Sequence, residues 1–133
     1  MSEGSLSQLD DLEIYLECSD LDAILGWLQQ HLPHFRETRR SRKGCRFQCG
    51  TGDLSSKGMV VLNAGNTGFT SVWIDSKDTP WDDDVAMGRS AQKALGGAVR
   101  CVESAWTQGD DPDRWLQIDG TGEQIIQWVT EEP

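Results

Sequence analysis

Asp75–Cys101, DSKDTPWDDDVAMGRSAQKALGGAVRC, carries more local structural information than any other part of the chain. It predicts a strand ending at Asp75, a polar turn over Ser76–Thr79, a helix, and a new strand after Gly96-Gly97. Pro80 begins the helical signal, because proline supplies a helical φ where no amide donor is needed. Asp82, Asp83 and Asp84 come next, and carboxylates suit the positive end of a helix dipole. At the far end glycine takes the left-handed cap that other residues resist. A helix over about Asp82–Leu95 puts Met87, Gly88, Ala91, Ala94 and Leu95 on one face, and residues that small let it lie close against a sheet.

Upstream, Leu12–Cys18 alternates: Leu12, Ile14, Leu16 and Cys18 face one side, with Glu13, Tyr15 and Glu17 on the other, as in a half-buried strand. Ser19 or Asp20 caps a helix running to about Leu32, whose Leu21, Ile24, Leu25, Leu28 and Leu32 form one stripe, and Pro33 ends it. Phe35–Cys49 reads as two short strands around a basic turn at Ser41–Gly44, and GTGDLSSKG as a loop. Met59–Leu62 is a short apolar strand, and AGNTG turns the chain into a strand over Phe69–Asp75. Downstream, Ala98–Glu103 is a strand and TQGDDPD an acidic loop. Trp115–Asp119 and Gln124–Val129 form a hairpin around Gly120-Thr121-Gly122. Residues 1–9 read as a polar tail and 10–133 as one domain.

The element order is therefore β-α-β-β-β, twice, which predicts an α+β protein with a mainly antiparallel sheet and both helices packed on it. Two β-α-β-β-β units in this length resemble the vicinal-oxygen-chelate fold, which implies paired modules curling into an open barrel. A single ferredoxin-like sheet with extra strands is the competing layout. Metal ligands implied by the first resemblance are missing: Ile14 or Leu16 and Trp73 or Ile74 stand at the inward strand positions that would carry them.

A chain of 133 residues can bury a real core. No apolar run reaches the roughly 18 residues of a membrane span, and MSEGSLSQLDD lacks the basic and apolar regions of a secretory signal. The expectation is a cytoplasmic protein whose four cysteines are free thiols. Its 22 acids and 12 bases give a net charge of -10, which disfavours direct nucleic-acid binding and favours capture of a basic partner. The charge is uneven. Residues 36–46, RETRRSRKGCR, hold six bases and one acid, so that segment is +5 and the remainder -15.

No catalytic signature is present. The only histidines, His31 and His34, flank Pro33, and no serine or cysteine occupies a nucleophile turn. No glycine loop has phosphate-binding spacing. His31, His34, Cys45 and Cys49 offer a donor set that zinc accepts. In one strand, however, the two thiols would lie about 13 Å apart, too far for one tetrahedral ion. The expectation is no metal, no cofactor and no enzymatic activity.

Tryptophan is the anomaly: six in the chain against one tyrosine. Trp73 and Trp128 read as core, Trp27 lies off the leucine stripe, and Trp115 faces outward if Leu116 and Ile118 point in. Trp81 and Trp106 sit in acidic surroundings, WDDD and AWTQGDDPD, as aromatic anchors in a charged rim would. Read from Pro80 to Trp128, the pattern of Pro80, Trp81, Asp82, Asp84, Val99, Arg100, Trp115, Glu123 and Trp128 resembles small acidic immunity proteins of bacterial polymorphic-toxin systems, including the contact-dependent growth inhibition type. That resemblance implies a cytosolic protein that blocks a cognate toxin domain, often a basic nuclease. The expected partner surface is Trp81, Asp82, Asp83, Asp84, Trp106, Asp110, Asp111, Asp113 and Trp115. The alternative is a small-molecule-binding or enzymatic domain with a pocket between the two units.

Overall fold

The computed structural model describes residues 11–50, 55–75, 79–102 and 113–129. Its elements run β1 (Leu12–Leu16), α1 (Leu21–His31), β2 (Arg36–Ser41), β3 (Gly44–Cys49), β4 (Ser56–Val61), a short 3-10 turn (Ala64–Asn66), β5 (Thr70–Ile74), α2 (Asp84–Leu95), β6 (Val99–Cys101), β7 (Arg114–Asp119) and β8 (Gly122–Gln127). The order β-α-β-β-β thus occurs twice along the chain, and the protein is α+β. All eight strands form one antiparallel sheet in the order β2-β3-β4-β5-β1-β6-β7-β8.

The two units interleave rather than pair as modules. β5 of the second unit enters between β4 and β1 of the first, and β1 in turn separates β5 from β6. The central order β4-β5-β1-β6, with a helical crossover after β1 and another after β5, is the split β-α-β layout of a ferredoxin-like sheet. The hairpin β2-β3 widens it at one edge and β7-β8 at the other. The paired-barrel arrangement is therefore not formed.

Local chemistry sets the elements. Asp20 caps α1 by accepting the Ala23 amide at 3.2 Å. At the other end the Leu32 amide closes on the Leu28 carbonyl, and Pro33 prevents continuation. α2 begins at Asp84, later than Pro80 suggests. Asp83 is extended, and its carboxylate accepts the Ala86 amide at 2.8 Å, so the cap falls there. Gly96 stops the helix where the sequence predicts, but with φ of 75° and ψ of -174° it is in an extended positive-φ conformation open to glycine rather than the left-handed cap.

One face of the sheet carries the core. Leu12, Ile14 and Leu16 of β1, Val60 of β4, Val72 and Ile74 of β5, and Val99 and Cys101 of β6 are buried there beneath Ile24, Leu28, Met87 and Ala91 of the helices. Burying each such large side chain stabilises the fold by about 1.5–3 kcal/mol. Gly88 is the close-packing point of α2: a methyl group there would press on Ile118 at 3.1 Å and Val99 at 3.3 Å. The helices also touch each other, where Trp27 Nε1 donates to Ser90 Oγ at 3.0 Å.

Candidate partner-binding face

Strand alternation sends the remaining side chains to the opposite face, over which no described helix lies. Tyr15 of β1, Arg100 of β6 and Trp115 of β7 sit between the inward residues of their strands. Trp128 follows β8 and extends its ladder by donating its amide to the Asp113 carbonyl at 2.8 Å. Phe69 stands just ahead of β5.

These residues meet. Trp115 and Trp128 lie edge to face with centroids 5.0 Å apart, and Tyr15 is edge-on to both at 5.5 and 5.4 Å. Phe69 packs on Trp128 at 5.1 Å. The Arg100 guanidinium lies over both Phe69, at 4.4 Å, and Trp128, at 4.6 Å, which is cation–π geometry on two rings. Its Nε donates to Gln117 Oε1 at 2.9 Å, and Gln117 Nε2 donates to Asp119 Oδ2 at 3.0 Å. Burial lowers the Arg100 pKa against the opposing pull of Glu17.

All four rings are half-buried, so each is held in place while still presenting surface. Trp115 Nε1 is buried with no hydrogen-bond partner, a desolvation cost of about 1–3 kcal/mol that the cluster carries. Carboxylates border the rings. Glu13 and Glu17 are exposed on Tyr15's face, and Asp119 shares the face of Trp115. Hydrogen bonds from the Thr121 hydroxyl and amide hold Asp119 below the usual carboxylate range, so it is charged near neutrality. An open groove of about 550 Å³ runs beside Arg100 between Glu17 and Asp119.

The residues expected at the partner surface divide. Trp115 takes its outward place, and Asp113 is half-buried just ahead of β7. Trp81 does not reach the surface: it is 5% exposed, stacked on Trp27 at 5.2 Å with His31 alongside at 5.4 Å. Thr79 Oγ1 accepts its amide at 3.1 Å and donates to its carbonyl at 3.1 Å, turning the indole inward over the helices. Asp83 is occupied as the cap of α2. Asp84 accepts the Glu13 amide at 3.2 Å, tying α2 to β1. Its pKa is pushed up to about 6 by burial and by the Glu13, Asp83 and Asp11 charges, against the stabilising Glu13 amide. Of the three carboxylates only Asp82 is exposed. Trp106, Asp110 and Asp111 lie outside the described residues.

Trp73 and Trp128, read as core, belong to the open face instead. Trp73 stands between the inward Val72 and Ile74, half-buried, with Nε1 3.4 Å from Asp11 Oδ2. That alternation is visible in the sequence and outweighs the general preference of tryptophan for interiors. Trp27, off the leucine stripe, is nevertheless buried, because Trp81 and Ser90 cover it. Among the described residues no three of His, Cys, Asp or Glu converge as metal ligands, and no helix is long and apolar enough to cross a membrane. Compared with protein-family models, curated proteins and solved structures, the chain matches none.

Proposed function

We propose that this protein is an inhibitor-type binding protein that occludes a basic toxin domain with the open face of its sheet. The observation that carries the reading is the aromatic cluster of Tyr15, Phe69, Trp115 and Trp128 around Arg100, held half-buried on a face with no described helix over it. Large rings fixed in position lose little conformational entropy on binding, and aromatic and arginine side chains dominate the energetics of interfaces. Glu13, Glu17 and Asp119 supply an acidic rim. With a net charge of -10 the protein would attract a basic domain over distance. The resemblance of Pro80–Trp128 to immunity proteins names the class of partner.

This reading moves the anchors from Trp81 to the open face and keeps Trp115 and Asp113. The alternative of a small-molecule-binding or enzymatic domain would have to place its ligand in a groove on one continuous sheet, since the two units interleave rather than pair as modules. Titration of a basic toxin domain is the test. Replacing Tyr15 or Trp128 with alanine should weaken binding by about 2 kcal/mol or more, and raising salt should slow association. Affinity unchanged in both variants would rule out this face as the interface.

A further inference from the structure

The other end of the sheet has the opposite charge. Arg36, Arg39, Arg42, Lys43, Arg46 and Lys57 cluster on β2, β3, β4 and the β2–β3 turn, and none has a carboxylate partner among the described residues. Arg40 is different: it points to the helix side, where Asp22 and Glu37 hold it at 3.0 and 3.1 Å. The unpaired cations are not spread evenly over the surface. Register places Arg39 beside Arg46, Arg46 beside Met59, and Met59 beside Trp73, forming one row across the open face.

That row is grooved. A depression of about 400 Å³ lies between Arg39, Lys43 and Arg46. A second, of about 260 Å³, lies between Thr38, Arg46, Lys57 and Trp73. Arg46 and Met59 line both, so the two are neighbours along the row. The outer edge of β2 is a poorer docking element. Its pairing to β3 is broken by a bulge between Glu37 and Arg39, a device that discourages strand addition.

We propose that these two grooves form a second binding site, which takes a short acidic polypeptide segment carrying an apolar residue. Arg39, Arg46 and Lys57 would meet its carboxylates, while Met59 and Trp73 give the apolar side chain a floor. Charge complementarity selects the occupant. A short acidic segment touches only the basic end, whereas a long polyanion such as RNA would continue over a molecule that is -15 outside residues 36–46. Arg46 on β3 lies four strand spacings from Arg100 on β6, about 19 Å, so the cationic side chains are separate from the aromatic cluster, with Trp73 on β5 standing between them.

The probes are a fluorescein-labelled glutamate-rich peptide containing one leucine, its lysine counterpart, and a labelled oligouridylate of equal length. Anisotropy and amide-shift mapping should show the glutamate peptide binding at β2, β3 and β4 and weakening as salt rises, with no binding of the lysine peptide. Arg39→Glu with Arg46→Glu, both at exposed positions, should weaken binding about tenfold or more with the melting temperature preserved. Arg40→Ala should leave it within about twofold. Tighter binding of the oligouridylate would overturn the proposal, as would absence of peptide binding or equal affinity in the double variant. Tyr15→Ala and Trp128→Ala leave this site intact, so failure here and failure of the aromatic face are read separately.

Discussion

The two faces of the sheet are built from the same strands and differ in what lies over them. In β1, Ile14 is fully buried beneath the helices, and its neighbour Tyr15 is half-buried among rings on the other side. The covered face is mostly aliphatic, with Phe47 its aromatic member and small residues where α2 comes close. The open face holds Tyr15, Trp73, Trp115 and Arg100 at the alternate positions. A sheet needs only one apolar face to fold, so the rings on the face that no described helix covers are the natural anchors for the proposed partner. Stability and binding should therefore be separable residue by residue.

The largest effect belongs to Trp81, which the structure moves from expected surface anchor to covered side. Trp81→Ala should cost about 3–5 kcal/mol, because it empties the stack on Trp27 and His31. Chemical denaturation measures this, and a loss below about 1 kcal/mol would return Trp81 to the surface. Adjacent positions then give the direct contrast. Ile14→Ala should lose about 2–5 kcal/mol of stability, with affinity for the proposed partner unchanged per folded molecule. Tyr15→Ala should show its main loss, about 2 kcal/mol or more, in affinity. Equal stability losses at 14 and 15 would erase the distinction between the faces.

What could be read in advance follows from the range of the physics involved. The alternation of Leu12–Cys18, the Asp20 cap and the Gly96 stop act over a few residues, and each took its expected place. The start of α2 is not fixed by local signals, because Pro80 and the three aspartates all suit a helix N-terminus. The geometry of Asp83 decides among them. Strand order was not legible: nothing local tells β5 to insert between β4 and β1. The contacts that bury Trp27 cross long separations, 63 residues in the case of Ser90. The aromatic cluster gathers one side chain each from near β1, β5, β7 and β8. Alternation assigns Tyr15, Arg100 and Trp115 to a face, but only the sheet order brings them together.

Asp84 gives a smaller effect, with a pH signature. Its pKa rises from 3.8 unfolded to about 6 folded, so between those values the folded protein binds the extra proton. Its contribution to stability is therefore full below pH of about 4 and is lost as pH rises through about 6. Glu13, raised by desolvation of its carboxyl at an otherwise exposed residue and by Asp11, adds in the same direction. Asp84→Asn keeps an oxygen to accept the Glu13 amide and removes the charge. Allowing for partial exposure, it should raise stability at pH 7 by about 1–2 kcal/mol. It should also flatten the melting-temperature profile between about pH 4 and 6. A profile as steep as that of the unsubstituted protein would show that Asp84 does not hold the proton.

The smallest effects separate the remaining two carboxylates at the start of α2, which the sequence presents as equals. Asp83 satisfies an otherwise free amide of the first turn, that of Ala86 at 2.8 Å, so Asp83→Ala should cost about 1 kcal/mol, read from the melting temperature. Asp82 is exposed, with no side-chain hydrogen bond or ion pair among the described residues, and Asp82→Ala should change stability by less than about 0.5 kcal/mol. The same pair also tests where the partner docks. Asp82 lies exposed just ahead of α2, which packs on the covered face, so its removal should lower the association rate only as much as one unit of net charge does. A loss of about 1 kcal/mol or more in toxin affinity at Asp82, with Tyr15→Ala silent, would move the interface from the open face to the helical one.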